Sequence, residues 1–360
     1  MTILDRYITK EYIKLLLLIL ISFTALFLII DLFERMRLFL SHHATLYQML
    51  SYAVVMIPII IAQSMPVAVL LSSLITFSNL SRYSEVLAMK ANGISLYRTS
   101  IPVIIIAAAI CILSFLFNEF ITPYANDRAE YIKHVEVEKQ EPLGIFRQNQ
   151  IWYRGTNGIY NFKMFEPSSN TLSGITIFYF DKTFSLQMRI DAEKAQWKDN
   201  QWIAQSIMTT RFQAGQFPAL EWTATGAIDL PEKPNDFKTI QKEAANMGFT
   251  ELKNYINKIQ DEGYDSTRYV VDLHGKVSFS FVSLILVLIG ISFSLMRSER
   301  SGGIMQSIGV GLVVGFSYWI VHAFSMSLGR SGTIPPVLSA WIGNIVMGAV
   351  SIAMYLRVKT

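Results

Sequence analysis

The sequence predicts an α-helical polytopic membrane protein: six transmembrane helices, with one β-domain, a sandwich or jelly roll, inserted between the third and the fourth. Three observations carry that prediction. Of 360 residues, 52% are hydrophobic and only 16% are charged, an apolar share above that of ordinary soluble domains. Six apolar runs approach or exceed the ~18 residues needed to cross a bilayer. Between two groups of three such runs, the hydrophobic pattern changes from long unbroken stretches to alternation.

The runs are Leu15 to Ile30, Tyr52 to Phe77, Ile101 to Phe117, Val277 to Met296, Ile304 to Leu328 and Pro335 to Leu356. Arg6, Lys10 and Lys14 precede the first run like the basic region of a signal peptide, but no A-x-A-like cleavage site follows, so this segment reads as a retained anchor. Orientation follows from the short connections. With the N-terminus inside, the inner set is Arg6, Lys10, Lys14, Arg82, Lys90, Arg98, Arg297, Arg300, Arg357 and Lys359, and the outer short loops hold Arg35, Arg37 and Arg330. The positive-inside rule then places both termini in the cytoplasm and the large central region outside. The expected divisions are 1–121, three spans with a short cytoplasmic helix over 81–92; 122–272, the outer region; and 273–360, three further spans. No internal repeat relates the two halves.

Within the outer region, IWYRG, NGIYNFKMF and GITIFYFD alternate apolar and polar positions, and turn signals such as Pro167 to Asn170 and Asp199-Asn200 separate them. Residues from about 142 to 230 therefore read as successive antiparallel strands, a sandwich or jelly roll rather than a βαβ fold, because no helix-period segment intervenes. Alternation puts Ile175 and Ile177 on one face, expected inward, and Phe180 on the other. After a linker over Pro231 to Pro234, Thr250 is placed to cap an amphipathic helix of about 250–262. Its Leu252, Tyr255, Ile256 and Ile259 share a face, and Gly263 ends it.

Several chemistries are excluded. The sequence has no G-x-x-x-x-G-K-[ST] phosphate loop, no H-E-x-x-H and no G-x-S-x-G. Basic residues are scattered, so no nucleic-acid partner is expected. Cys111 lies alone in an apolar run and reads as a small buried hydrophobe. Adjacent His42 and His43 point in different directions and have no Cys or carboxylate cluster beside them, so neither a metal nor a cofactor is expected. His274 and Lys276 read as headgroup-level anchors at the start of the fourth span.

Three features remain open to two readings each. The helix over 81–92, with Lys90 in its last turn and Gly93 as its stop, is either a plain connector or a docking surface for a cytoplasmic partner. Gly303, Ser307, Gly311 and Gly315 fall at four-residue spacing on the fifth span, a stripe for internal packing or for a seam with another subunit that opens and closes. Asp31, Glu34, Arg35 and Arg37 mark a solvated end of the first span or a site for a phosphorylated lipid.

The order of short motifs along the chain resembles the LptF/LptG permeases of the lipopolysaccharide exporter, over essentially its whole length. The likeness is carried by LDRYI at the start, SEVLAMKANG in the cytoplasmic helix, RY followed by DLHGKVSFSFVSLILVLIG, and IPPVLSAWIGN near the end; LDRYI is most like the LptG branch. The resemblance implies a permease subunit of an ABC transporter in the bacterial inner membrane, with its β-jellyroll in the periplasm. It implies an LptF-like sister subunit, an LptB-like ATPase dimer, and LptC-like and LptA-like bridge proteins that receive the lipopolysaccharide. By the same resemblance Glu85, with Arg82 and Ser84 beside it, matches the coupling position, and Arg35 and Arg37 fall near the family's lipid-contacting basic residues, here with Asp31 and Glu34 among them. The competing readings are an envelope-acting membrane enzyme and a protein-binding scaffold; copurification of a nucleotide-binding subunit separates the exporter from both.

Overall fold

The computed structural model of the chain describes residues 2–139, 144–147, 150–154, 158–166, 169–181, 184–198, 200–212, 217–230, 233–234, 244–261, 265–296 and 304–358. Two units result, one helical (Met1–Val137 with Ala244–Thr360) and one of β structure (Glu138–Glu243). Among the described residues, six helices of the first unit are long and apolar enough to cross a membrane.

The first two, α1 (Ile3–Ser41) and α2 (Leu46–Arg82), each begin with a reciprocal cap. The Thr2 and Asp5 side chains take each other's backbone N–H at 3.3 and 2.8 Å, and Thr45 and Gln48 do the same at 3.3 and 2.8 Å, so two of the four orphan donors at each helix start are satisfied. His42 and His43 make the turn between them; His43 is left-handed at φ 51, and His42 Nδ1 lies 3.0 Å from the Leu38 carbonyl oxygen.

The expected cytoplasmic helix over 81–92 is shorter. Ser81 and Arg82 belong to the end of α2, and α3 covers Glu85–Ala91. The break is a turn: Tyr83 N–H still reaches Asn79, but Ser84 turns left-handed at φ 57, a conformation that stops helix propagation. Gly93 at φ +74 closes α3, with Ile94 N–H reaching back to Met89 at 2.9 Å.

The third span is α4 (Leu96–Phe120), continued by α5 (Thr122–Tyr131) and a π turn over Ile132–Val137. The chain returns to the helical unit at Ala244 and enters α6 (Phe249–Asp261). Thr250 is not its cap. The carboxylate of Glu119, at the end of α4, accepts the N–H groups of both Phe249 and Thr250, and Gly248 brings the chain so close that a Cβ there would lie 2.9 Å from the Glu119 carbonyl oxygen. Leu252, Tyr255, Ile256 and Ile259 are buried along one side of α6; Gly263 lies outside the described residues.

The last three spans are α7 (Thr267–Met296), α8 (Ile304–Arg330) and α9 (Pro336–Leu356). α7 lies against α2 because both present small residues. A Cβ at Gly290 would overlap the Ser73 side chain and meet the Leu70 carbonyl oxygen at 3.0 Å, and Ser294 donates to the Leu74 carbonyl at 2.9 Å. Asn344 of α9 accepts from the Tyr318 hydroxyl at 2.9 Å and donates to the Ser278 carbonyl at 2.6 Å, joining α7, α8 and α9 through a buried polar link.

In the β unit, β1 (Gly144–Arg147), β2 (Gln150–Arg154), β3 (Gly158–Glu166), β4 (Thr171–Phe180), β5 (Leu186–Lys198), β6 (Gln201–Arg211) and β7 (Ala219–Ile228) form one antiparallel sheet in chain order. Every strand pairs with its sequence neighbours, so the connections are those of a meander rather than the crossovers of a two-sheet jelly roll. The core lies on one face of the sheet. Phe162 pairs with Ile175, Ile175 with Ala192, and Ala192 with Ile207, a row of buried apolar residues across four strands. Ile175 and Ile177 are both buried in it, beside Tyr160 and Trp202. The register slips at Tyr179/Phe180, and Phe180 leaves the core to stack on Phe184 with ring centroids 4.6 Å apart.

Candidate functional site

A cavity of about 620 Å³ opens within the helical unit. Its walls come from α1 (Phe23, Phe27, Ile30, Asp31, Glu34), α2 (Met56, Ile60, Gln63, Ser64, Val67) and α8 (Leu312, Gly315, Phe316, Trp319). At 1.5 Å per residue, Phe23 to Glu34 gives α1 a wall ~16 Å long. Most of that lining is apolar, and the charged groups sit at one end, where Asp31 and Glu34 occur a turn apart. Gly315 makes room for the cavity: a Cβ there would touch Val67 at an ordinary 3.6 Å, and anything larger would enter the void. A slot of this shape, oily along its length and polar at one end, suits acyl chains below a headgroup.

The sequence-marked basic residues lie beside this slot rather than in its walls. Arg35 is turned back on its own helix: Nε donates to Asp31 Oδ1 at 3.0 Å, and the guanidinium sits 5.4 Å from the centre of the Tyr52 ring. Arg37 is exposed. The small-residue stripe of α8 divides likewise. Gly311 faces α2, where a Cβ would lie 2.5 and 2.7 Å from the Leu71 and Leu74 methyls, and Gly315 faces Val67 and Leu70 of the same helix. Gly311 is thus tightly packed against α2, whereas Gly315 meets it only at ordinary contact distance beside the cavity. Gly303 lies outside the described residues, as does the side chain of Ser307.

On α3, Val86 and Met89 are buried in the helical core, which seats the connector, and Leu87 is exposed, as are Tyr83, Ser84 and Arg82 just ahead of it. Glu85 is half-buried and accepts a hydrogen bond from the Tyr7 hydroxyl at 3.1 Å. This contact spans 78 residues of sequence and was invisible to local pattern. The cavity was equally hidden, since no periodicity says which three helices meet. The close approach of α7 to α2 at Gly290 and Ser294 was also missed, although small residues four apart in GISFS carry the same signal as the stripe on α8.

The family model "Lipopolysaccharide export system permease LptF/LptG" matches residues 6–357. The chain is also similar to the lipopolysaccharide export system permease protein LptG of Haemophilus influenzae, at 23% identity over 355 residues and 95% of each chain.

Proposed function

The chain belongs to the LptF/LptG family and is a permease subunit of the lipopolysaccharide export system in the inner membrane; from that premise we propose that the cavity between α1, α2 and α8 is its share of the lipid path. The observation that carries this reading is the composition of the cavity, apolar for most of its length and polar at one end. The complete path needs an LptF-like sister subunit, and the work comes from an LptB-like ATPase dimer, because this sequence holds no phosphate loop of its own.

The ATPase engages the protein at α3, with Glu85, Ser84 and Arg82 at the contact. The concentration of Arg6, Lys10, Lys14, Arg82, Lys90 and Arg98 at the α3 end, against Arg35, Arg37 and Arg330 at the other, supports a cytoplasmic α3 and cytoplasmic termini. The β unit then stands in the periplasm, with its apolar core face, Ile175 and Ile177 included, beside the LptC-like and LptA-like bridge that receives the lipid.

Site-specific photocrosslinking in the assembled transporter tests the lipid path. Probes at Phe27 and Phe316, which line the cavity, should capture lipopolysaccharide, and a probe at Ile105 of α4, exposed but outside the lining, should not. Gly315→Leu should insert normally, because its first carbon is accommodated, yet lose most lipid release. Equal capture at all three positions, or full release by Gly315→Leu, would remove the cavity from the path.

A further inference from the structure

α1 is built in two parts. Along Asp5, Ile8, Tyr12, Leu16 and Ile19 one face is buried at helical spacing, in a cluster that includes Val86 and Met89 of α3 and Leu96 of α4. The next buried residue of α1 is Phe39. The stretch between supplies Phe23, Phe27, Ile30, Asp31 and Glu34 to the cavity wall. No glycine or proline interrupts the 39 residues, so α1 lacks the commonest kink formers. From Tyr7 to Phe27 is ~30 Å of continuous helix.

The anchored part is held by two directional contacts. Asp5 is 6% exposed, and both its carboxylate oxygens accept from the Arg98 guanidinium, at 2.8 and 2.9 Å. A two-bond fork of this kind fixes orientation as well as distance. Tyr7, half-exposed, places its hydroxyl 3.1 Å from Glu85 Oε1. Ile8 and Tyr12 of α1 belong to the same buried apolar cluster as Val86 and Met89 of α3, and apolar packing of that kind holds elements together without fixing direction.

We propose that Tyr7 is a positioning residue that ties the α3 connector to α1, so that α1, pivoting at the Asp5–Arg98 pair, carries connector movement to the cavity wall. This rests on the reading of α3 as the surface that engages the ATPase. It adds a route. A push on α3 reaches the lipid through the first span, by way of a hydroxyl and a carboxylate, and the cavity changes shape because the middle of α1, with no fully buried residue between Ile19 and Phe39, is its less firmly held wall.

The test uses the whole transporter, this chain with its sister permease and ATPase subunits, in proteoliposomes. Tyr7→Phe removes only the hydroxyl. ATPase copurification and ATP hydrolysis should stay within about twofold of the parent, while lipopolysaccharide released per ATP should fall about fivefold, the scale of one ordinary, solvent-exposed hydrogen bond. Spin labels at Ile21→Cys on α1 and Val313→Cys on α8, both exposed, should show a nucleotide-dependent distance change that shrinks in Tyr7→Phe. Glu85→Arg is measured alongside. Unchanged lipid per ATP in Tyr7→Phe, with loss of the ATPase in Glu85→Arg, overturns the lever and leaves the α3 reading standing. A Glu85→Arg complex that keeps its ATPase and its transport rate overturns the α3 reading and this inference with it.

Discussion

α1 and α2 are nearly the same length, 39 and 37 residues, and both are apolar. Yet in their most apolar stretches 6% of α1 residues are buried against 50% in α2. The cause is side-chain size. α2 carries Ser64, Ser72, Ser73 and Thr76, whose hydroxyls each return to a carbonyl three or four residues back, at 2.7 to 3.0 Å. Satisfied in this way, they present a narrow polar-free surface that α7 approaches through Gly290, while Gly311 lets α8 sit against the Leu71 and Leu74 methyls of the same helix. α1 presents Leu17, Leu18, Ile21, Leu26 and Ile29, bulky and exposed. In lipid such residues gain nothing by moving against another helix, whereas small residues gain contact. Equal hydropathy therefore conceals opposite roles, a scaffold in α2 and a wall in α1.

The sharpest test of that contrast is Gly290→Val. The added Cβ would occupy the space of the Ser73 side chain, with the backbone of Leu70 behind it, so neither partner has room to yield. We expect a loss of about 3 kcal/mol, the upper range for overpacking, seen as a lower thermal unfolding midpoint in detergent. Ile21→Ala on the exposed face of α1 should stay within about 0.5 kcal/mol. Comparable losses at both positions would erase the distinction between scaffold and wall.

The sequence made the spans legible because apolar length is a local property, and the capped starts at Thr2 and Thr45 extend them beyond the apolar runs by a few turns. It also made the strand faces legible, since Ile175 and Ile177 lie two apart on one side of the pleat. Contacts distant in sequence were not legible. Glu119 caps α6 from 130 residues away, so Thr250, the local candidate, was the wrong cap. The break at Ser84 was missed because a single left-handed serine leaves no pattern. The charged cluster at the end of α1 was visible, but its division was not: Asp31 and Glu34 line the cavity while Arg35 folds onto Tyr52.

A smaller effect is expected where α7, α8 and α9 share a polar link. Asn344→Leu leaves the Tyr318 hydroxyl, buried among the spans, and the Ser278 carbonyl without their partner. Interhelical hydrogen bonds within membranes contribute modestly, so the expected loss is about 1.5 kcal/mol. Adding Tyr318→Phe should recover part of it by removing the orphaned hydroxyl, and a double-mutant cycle of thermal midpoints measures the coupling. Strict additivity would mean that the two side chains do not act as a pair.

The least costly change to the fold falls on the wall, at Asp31→Asn. Its ion pair with Arg35 lies one helical turn along α1 at 3.0 Å, with the two side chains 18% and 34% exposed. A pair this open to its surroundings contributes only about 0.5 kcal/mol, so the thermal midpoint should scarcely move. Binding should respond differently. Asp31 lines the polar end of the cavity and Arg35 does not, so on the proposed lipid path the carboxylate would repel an anionic headgroup directly while also holding back the Arg35 guanidinium. Replacing it with the neutral amide removes the repulsion and releases Arg35 at the same time. Lipopolysaccharide retained per purified complex should rise about threefold at low salt, and the gain should shrink as ions screen the site. Retention that is unchanged at both salt concentrations would place the headgroup beyond the reach of Asp31, and the polar end of the cavity would then have to be sought further along α1.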